Sequence, residues 1–391
     1  MTPIFKNEVI NFEDIGEYSQ QQHIKNDIKF SKSKKLIGSY FGKEITLYTP
    51  NIKWYLQHGL IITKFHMGIE YTPVKCFQKF ADEVSDARRA GDVDKLYELI
   101  AETMKLFGNS AYGKTITNKE GFVNTSYATE KNISNKINNP RFKDLEELYS
   151  NSYEITSAKR DIKLDLPLQI GCAVYQLAKL RMLEFYFDFI DKFIDRSDFC
   201  LIEMDTDSNY FAFSEDSIEK LIKPHMREEY DKEKYNFLPS ESSELHPTFA
   251  VDGKRFTMKQ YDKRKPGLFK IECIKDKMIA LTSKMYCGSE MSETCNCCAC
   301  KKMECKCPKK CSCNFKFSCK GIQKSNNEIT YQRFKSVLFD GKKDMITNKG
   351  FRYLDNNHSM HTYTQEKKGL SAIYCKRKLC SDGINTVPLD I

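Results

Sequence analysis

Residues 1–70 mix short strand signals with loops. Glu44 to Tyr48 and Gly59 to Lys64 alternate or run apolar with β-branched residues, as half-buried strands do. From Cys76 the period changes. Phe77, Phe80, Val84 and Ala87 recur at helical spacing, Arg88-Arg89-Ala90-Gly91-Asp92 reads as a basic turn, and a second helix is expected over Asp94 to Tyr112. The prediction is two antiparallel helices joined at a basic tip. Thr115 to Asp165 is polar and rich in Asn, Lys and Ser, which suits an irregular or strand-and-loop insert. The longest helix signal, Gln169 to Asp195, carries Met182, Phe185, Phe189 and Phe193 along one stripe, the mark of core packing. Phe199 to Met204 and Asn209 to Phe213 read as strands joined by Asp205-Thr206-Asp207-Ser208. Leu268 to Ile274 and Met278 to Tyr286 read as a second hairpin around Lys275-Asp276-Lys277, and a helix is expected at Tyr331 to Phe339. No internal repeat is visible.

A chain of 391 residues can bury two or three packed units. No run of about 18 apolar residues occurs, so no membrane span is expected. Met1-Thr2-Pro3-Ile4-Phe5-Lys6 lacks the apolar core of a signal peptide, and a start so close to patterned sequence fits a fragment. The 62 Lys and Arg against 53 Asp and Glu leave a net charge of +9, which suits an anionic partner without demanding one. Nine of the sixteen cysteines fall between Cys295 and Cys319. A secreted disulfide protein spreads its cysteines through a short chain, so this pattern points to an intracellular, reducing compartment, nucleus or cytoplasm, with one local cluster.

Three constellations carry chemistry. Asp205 and Asp207 flank one residue at a strand-turn-strand tip, where two carboxylates can project to one side and hold a hard divalent cation. The same residues also make an ordinary acidic turn. Lys105, Asn109 and Tyr112 stand at i, i+4 and i+7 on one helix face, although a polar face is commonly just solvated. A lysine there can hold triphosphate oxygens, a tyrosine can face a base or sugar, and Ser110 and Gly113 keep the helix narrow beside them. Finally, Cys295, Cys297, Cys298, Cys300, Cys305, Cys307, Cys311, Cys313 and Cys319 crowd a Lys-rich stretch. Four thiolates suffice for Zn²⁺, and the overlapping CxxC spacings at 295–298 and 297–300 can supply them. The plain alternative is a variable insert that binds no metal.

Lys105-Leu106-Phe107-Gly108-Asn109-Ser110-Ala111-Tyr112-Gly113 resembles motif B of the family B DNA-directed DNA polymerases, KxxxNSxYG, at every specified position. Met204-Asp205-Thr206-Asp207-Ser208 looks like motif C, YxDTDS, with Glu203 where the family has Tyr. Ser283-Lys284-Met285-Tyr286 resembles the downstream KxY motif, and all three stand in family order. Pro266 to Glu272 and Asp382 to Thr386 resemble segments from the protein-primed branch carried by self-synthesising transposons (Polintons or Mavericks). The resemblance implies Asp205 and Asp207 as catalytic carboxylates holding Mg²⁺, and Lys105, Asn109, Ser110, Tyr112 and Gly113 as the nucleotide site. It also implies Lys284 and Tyr286 steadying a primer terminus, with Arg88 and Arg89 on DNA. Expected partners are DNA template and primer, deoxynucleoside triphosphates and a terminal protein primer.

Motif A, the DxxSLYP segment that supplies the other metal aspartate, has no counterpart here; Asp14 lacks the residues that should follow it. The reading is therefore a C-terminal fragment, inactive alone. The expected fold is α+β, an incomplete right hand with helical fingers, an antiparallel palm sheet and a mixed thumb. Its parts are a segment following motif A (1–70, part palm), fingers (71–117), a polar insert (118–165), palm (166–286), a Cys-rich insert (287–320) and thumb (321–391). Either 1–70 or the polar insert could hold a terminal-protein-region insertion. The rival reading is a non-catalytic nucleic-acid-binding transposon remnant with a zinc module.

Overall fold

The computed structural model describes every residue except 1, 250–252, 254, 291–313, 342–343 and 355–358. In chain order its elements begin with β1 (Ile4–Ile10), α1 (Glu17–Lys25), β2 (Ser33–Ser39), α2 (Thr49–Gln57), α3 (Gln78–Val93) and α4 (Glu98–Thr115). Next come β3 (Val123–Ala128), α5 (Glu130–Ile137), β4 (Phe142–Tyr149), β5 (Ser152–Ala158) and α6 (Leu168–Glu184). A π-helical turn over Phe185–Ile190 leads into α7 (Asp191–Phe193), β6 (Phe199–Asp205), β7 (Ser208–Phe213), α8 (Ile218–Leu221) and α9 (Arg227–Phe237). The chain continues through β8 (Leu245–Phe249), β9 (Arg255–Thr257), α10 (Met258–Asp262), β10 (Lys277–Thr282), β11 (Met285–Glu290) and β12 (Asn314–Cys319). It ends with α11 (Tyr331–Asp340), β13 (Met345–Leu354), β14 (Ser359–Lys368), β15 (Lys378–Leu379) and β16 (Thr386–Val387). The fold is mixed α+β, with helices and small antiparallel sheets of two or three strands. Among the described residues no helix is long and apolar enough to cross a membrane.

The chain divides into two compact units. The first comprises Met1–Thr115, Leu168–Ile274 and Ile373–Ile391; the second comprises Ile116–Pro167 and Lys275–Ala372. Residues 373–391 thus pack with the first unit rather than with the rest of the expected thumb, because Cys375 and Leu389 join Ile10, Ile15 and Ile37 in one apolar cluster. The residues expected to form one palm divide at 274.

The first unit is organised by α6. The predicted aromatic stripe is buried: Phe185, Phe189 and Phe193 meet Ile190, Tyr230 and Phe237, with Phe211 and Phe213 of β7 against them. Ring centroids lie 5.5 Å apart for Phe185–Phe189 and 4.9 Å for Phe189–Phe237. Burying each such ring contributes about 1.5–3 kcal/mol. Farther up the helix, Leu180 and Leu183 pack with Trp54 and Tyr55 of α2. Trp54 Nε1 donates to Asp188 Oδ2 at 2.8 Å, and His58 Nε2 lies 2.7 Å from Asp188 Oδ1, so α2 is fastened to the π turn.

Neither early strand signal forms a strand. Over Glu44 to Tyr48 two backbone groups meet one side chain instead of a ladder: Gln176 of α6 donates to Thr46 O at 3.0 Å and accepts from Tyr48 N. Beyond Leu60, whose N–H bonds Tyr55 O at 2.9 Å, residues 61–74 make no backbone hydrogen bond among the described residues. The strands that do form, β1 and β2, pair antiparallel from Ile4↔Ser39 to Ile10↔Ser33.

The helical pair is present, but its corner differs. Helix α3 runs through Arg88–Asp92, so no basic turn interrupts it. The corner falls at Asp94, which is extended (φ −134°) and accepts from Leu96 N at 2.9 Å, capping the next turn. A Cβ built on Gly91 would lie 2.4 Å from Ala101 Cβ, so this glycine lets α3 and α4 close together.

In the second unit, 123–158 forms the sheet β3-β5-β4 with α5 packed on it, so the polar insert is ordered strand structure. The other three-stranded sheet of this unit is β10-β11-β12, covered by α11; Ile279, Leu281, Cys287, Cys319, Phe334 and Val337 lie in its core. Thr330 caps α11 through Arg333 N, and Gly341 ends it at φ 61°.

Candidate functional site

The acidic tip is a two-residue turn. Asp205 pairs with Ser208 across the hairpin, and Thr206 takes φ 56°, a left-handed conformation that costs a β-branched residue energy. The turn is tightened by Asp207 N donating to Asp205 O at 2.6 Å and by Thr206 Oγ1 donating to Asp205 Oδ1 at 3.1 Å. Asp205 is half-buried and Asp207 exposed.

Register decides where the carboxylates point. Leu201 pairs with Phe211, but Glu203 pairs with Tyr210, so Ile202 is an extra residue, a β-bulge. A bulge reverses the alternation beyond it. Phe211 faces the aromatic core, whereas Glu203 and Asp205 are turned to the opposite face. Met204 and Asn209, paired next to the tip, share the inner face, where both polar side-chain atoms of Asn209 are buried without a hydrogen-bond partner.

The second constellation lies on α4, in the same unit. Lys105, Asn109 and Ser110 are exposed and Tyr112 is half-buried. Lys105 Nζ is 3.3 Å from Glu102 Oε2, an exposed pair of small energetic weight that leaves the ammonium available. Burial raises the Tyr112 hydroxyl pKa, with Tyr175 and Cys172 of α6 adding to the effect. A Cβ on Gly113 would meet nothing within 4 Å, so this side of α4 is open. The tip and the α4 face are both organised by α6: Tyr112 leans on its first half, and the hairpin packs on the π turn at Phe185 and Tyr186. Ten to fourteen residues separate those contacts, about 15–20 Å of helix.

Two residues linked in the sequence reading part company. Arg89 is 4% exposed; it bonds Asp86 at 2.6 Å and Tyr261 O at 3.2 Å, and its guanidinium lies 3.9 Å from the Tyr261 ring centroid. That is an internal brace between α3 and α10, withdrawn from any DNA. Arg88 is half-buried and makes no ion pair among the described residues. Three further cations, Lys263, Arg264 and Lys270, stand by Asp92, one turn farther along α3. The basic run before Pro266 was visible in the sequence; its approach to α3 was not.

Lys284 and Tyr286 lie in the second unit. Because Thr282 pairs with Met285, Ser283-Lys284 is the turn of the β10–β11 hairpin and Lys284 takes φ 66°. The expected strand at Leu268 to Ile274 is absent because Phe269 enters the aromatic core, 3.9 Å from Phe185, with its N–H on Phe237 O at 2.7 Å. Lys284 therefore sits at a tip, and Tyr286 on β11 is 6% exposed; the two do not share a strand face.

Cys319 is a core thiol on β12 beside Cys287. Burial pushes the Cys287 thiol up to about 12 and raises that of Cys319, the opposite of what a zinc-binding thiolate needs. The other eight cysteines of the cluster, Cys295 to Cys313, lie outside the described residues. Among the described residues no group of three or more His, Cys, Asp and Glu is arranged to hold a metal ion. Compared with known proteins, the chain matches no family model, no curated protein and no solved structure.

Proposed function

We propose that this chain carries the nucleotide-binding helix and the acidic hairpin of a template-directed DNA polymerase of family B type, in its protein-primed branch. The observation that carries the reading is the bulged β6–β7 hairpin. It turns Asp205 away from the aromatic core and presents Asp207 at a tightened tip, in the unit that also holds Lys105, Asn109 and Tyr112 on one helix. In this reading the fingers are α3 and α4, and the palm includes α6 and the hairpin.

The two carboxylates offer the hard oxygen donors that Mg²⁺ prefers, and a bound ion would lower the barrier to joining a deoxynucleotide to a 3′ hydroxyl. In this reading Lys105 would offer its positive charge to triphosphate oxygens, and Tyr112, backed by α6, a ring to the sugar or base. Asn109 and Ser110 offer hydrogen-bonding groups on the same exposed face. Two carboxylates make a partial set for two-metal chemistry, so this chain by itself should extend primers weakly or not at all.

The test is binding as well as turnover. With a template–primer duplex and Ca²⁺, the chain should retain the nucleotide complementary to the template over the mismatched ones. Lys105→Ala should weaken that retention about tenfold, the scale of one lost charge-assisted contact. Equal retention of all four nucleotides would overturn the assignment and leave the rival reading, a nucleic-acid-binding protein without catalysis. Robust primer extension abolished by Asp207→Asn would support the class and show that these two carboxylates suffice for turnover.

A further inference from the structure

Arg88, Lys263, Arg264 and Lys270 gather around one carboxylate, Asp92. Arg264 grips it side-on through Nε and Nη2, at 2.6 and 2.5 Å, and Lys263 Nζ stands 3.7 Å away. Arg88 lies one turn earlier on α3. Lys270 reaches Glu272 at 3.9 Å, and the nearby Glu102 is engaged by Lys105 at 3.3 Å. Asp92 and Arg264 are mostly shielded, with side chains 19% and 23% exposed. Positive charge is in surplus here. Burial and then Arg264 disfavour the proton on Arg88, outweighing the opposing pull of Asp92 and Glu102, and burial, Arg264 and Lys263 outweigh Glu272 and Asp92 at Lys270. Like charges held together in a partly dry place are relieved by an anion.

We propose that Arg88, Lys263, Arg264 and Lys270 form a phosphate-binding site, and that Asp92 is its internal anion, holding the Arg264 fork in position until a phosphate group joins or displaces it. The planar fork matches two phosphate oxygens, and cations on separate side chains can reach the others. A carboxylate ligand has only two oxygens and would leave part of this donor set unused. The phosphate could belong to a nucleotide or to a nucleic-acid strand. The site is distinct from Asp205 and Asp207, and its occupancy does not depend on nucleotidyl transfer occurring there.

The test uses the full 391-residue chain and two probes, inorganic tripolyphosphate by calorimetry and a fluorescent single-stranded oligothymidylate by anisotropy. Arg88→Gln and Lys270→Gln should each weaken binding about fivefold and lower the salt dependence by about one counterion, whereas Lys131→Gln on α5 should change neither. Losses with both probes assign the site to any phosphate; a loss with tripolyphosphate alone assigns it to nucleotides, and one with the oligonucleotide alone to a strand. Asp92→Asn, which removes the carboxylate charge and one of the two acceptors from the Arg264 fork, should tighten binding several-fold, with a thermal melt confirming the fold. Wild-type binding that Arg88→Gln and Lys270→Gln leave within twofold for both probes overturns the proposal. So does a Lys131→Gln loss as large as theirs, or failure of the wild type to bind either probe.

Discussion

Lys179 illustrates how burial sets a single side chain's behaviour. Its ammonium lies 4.4 Å from the Phe5 ring centroid and 5.6 Å from that of Tyr55, with no ion pair among the described residues. Burial lowers its pKa from the ordinary 10.5 to about 7. A base whose folded pKa is depressed resists the proton, so the folded state is penalised wherever the unfolded chain would carry this lysine charged. That penalty is absent above about pH 10.5, grows as pH falls, and is complete below about 7. Lys179→Met should therefore be more stable than wild type at pH 6, on the order of 1 kcal/mol, with the gap closing toward pH 10. Urea melts at several pH values measure it, and a gap that does not change with pH would refute the assignment. Arg88 and Arg89 are adjacent and chemically identical, yet Arg89 is a brace and Arg88 makes no ion pair among the described residues, because a helix turns successive side chains about 100° apart.

Elements followed the sequence wherever a local signal sufficed. Helix α6 and its π turn lie where the Phe stripe placed them, since a 3.6-residue period and aromatic size are properties of the segment itself. The β6–β7 hairpin and α11 also fall close to their expected bounds. Strand signals fared worse because a strand exists only with a partner: Glu44 to Tyr48 found Gln176, and Leu268 to Ile274 lost Phe269 to a distant core. The close approach of α3 and α4 gives a prediction at this scale. Gly91→Ala puts a methyl 2.4 Å from Ala101 Cβ, so it should destabilise the helical pair by about 2 kcal/mol despite alanine's better helix propensity. Denaturant midpoints decide the matter; a neutral or stabilising Gly91→Ala would show that the helices separate without penalty.

Across the whole molecule, the assignment of chain to units was the least legible property. Residues 373–391 return to the first unit, and β10–β11 separates from the hairpin bearing Asp205. Each unit buries its own core, so calorimetry should resolve two unfolding transitions rather than one. Phe334→Ala, at a site 0% exposed in the second unit, should lower one of them by roughly 3–5 kcal/mol, and Phe189→Ala in the first unit should lower the other. A single transition moved equally by both variants would mean that the units unfold as one.

By itself the sequence determined the helical periods, the acidic turn between two apolar runs, and the Lys105-to-Gly113 pattern with its i, i+4, i+7 face. All of these rest on interactions within a few residues of one another. The tertiary structure alone decided that a bulge at Ile202 turns Asp205 off the core and that Cys319 is a buried thiol. It also decided that Arg264 reaches Asp92 across 172 positions of chain. Register, burial and long-range ion pairs depend on which distant segment arrives alongside, and no local pattern encodes that arrival.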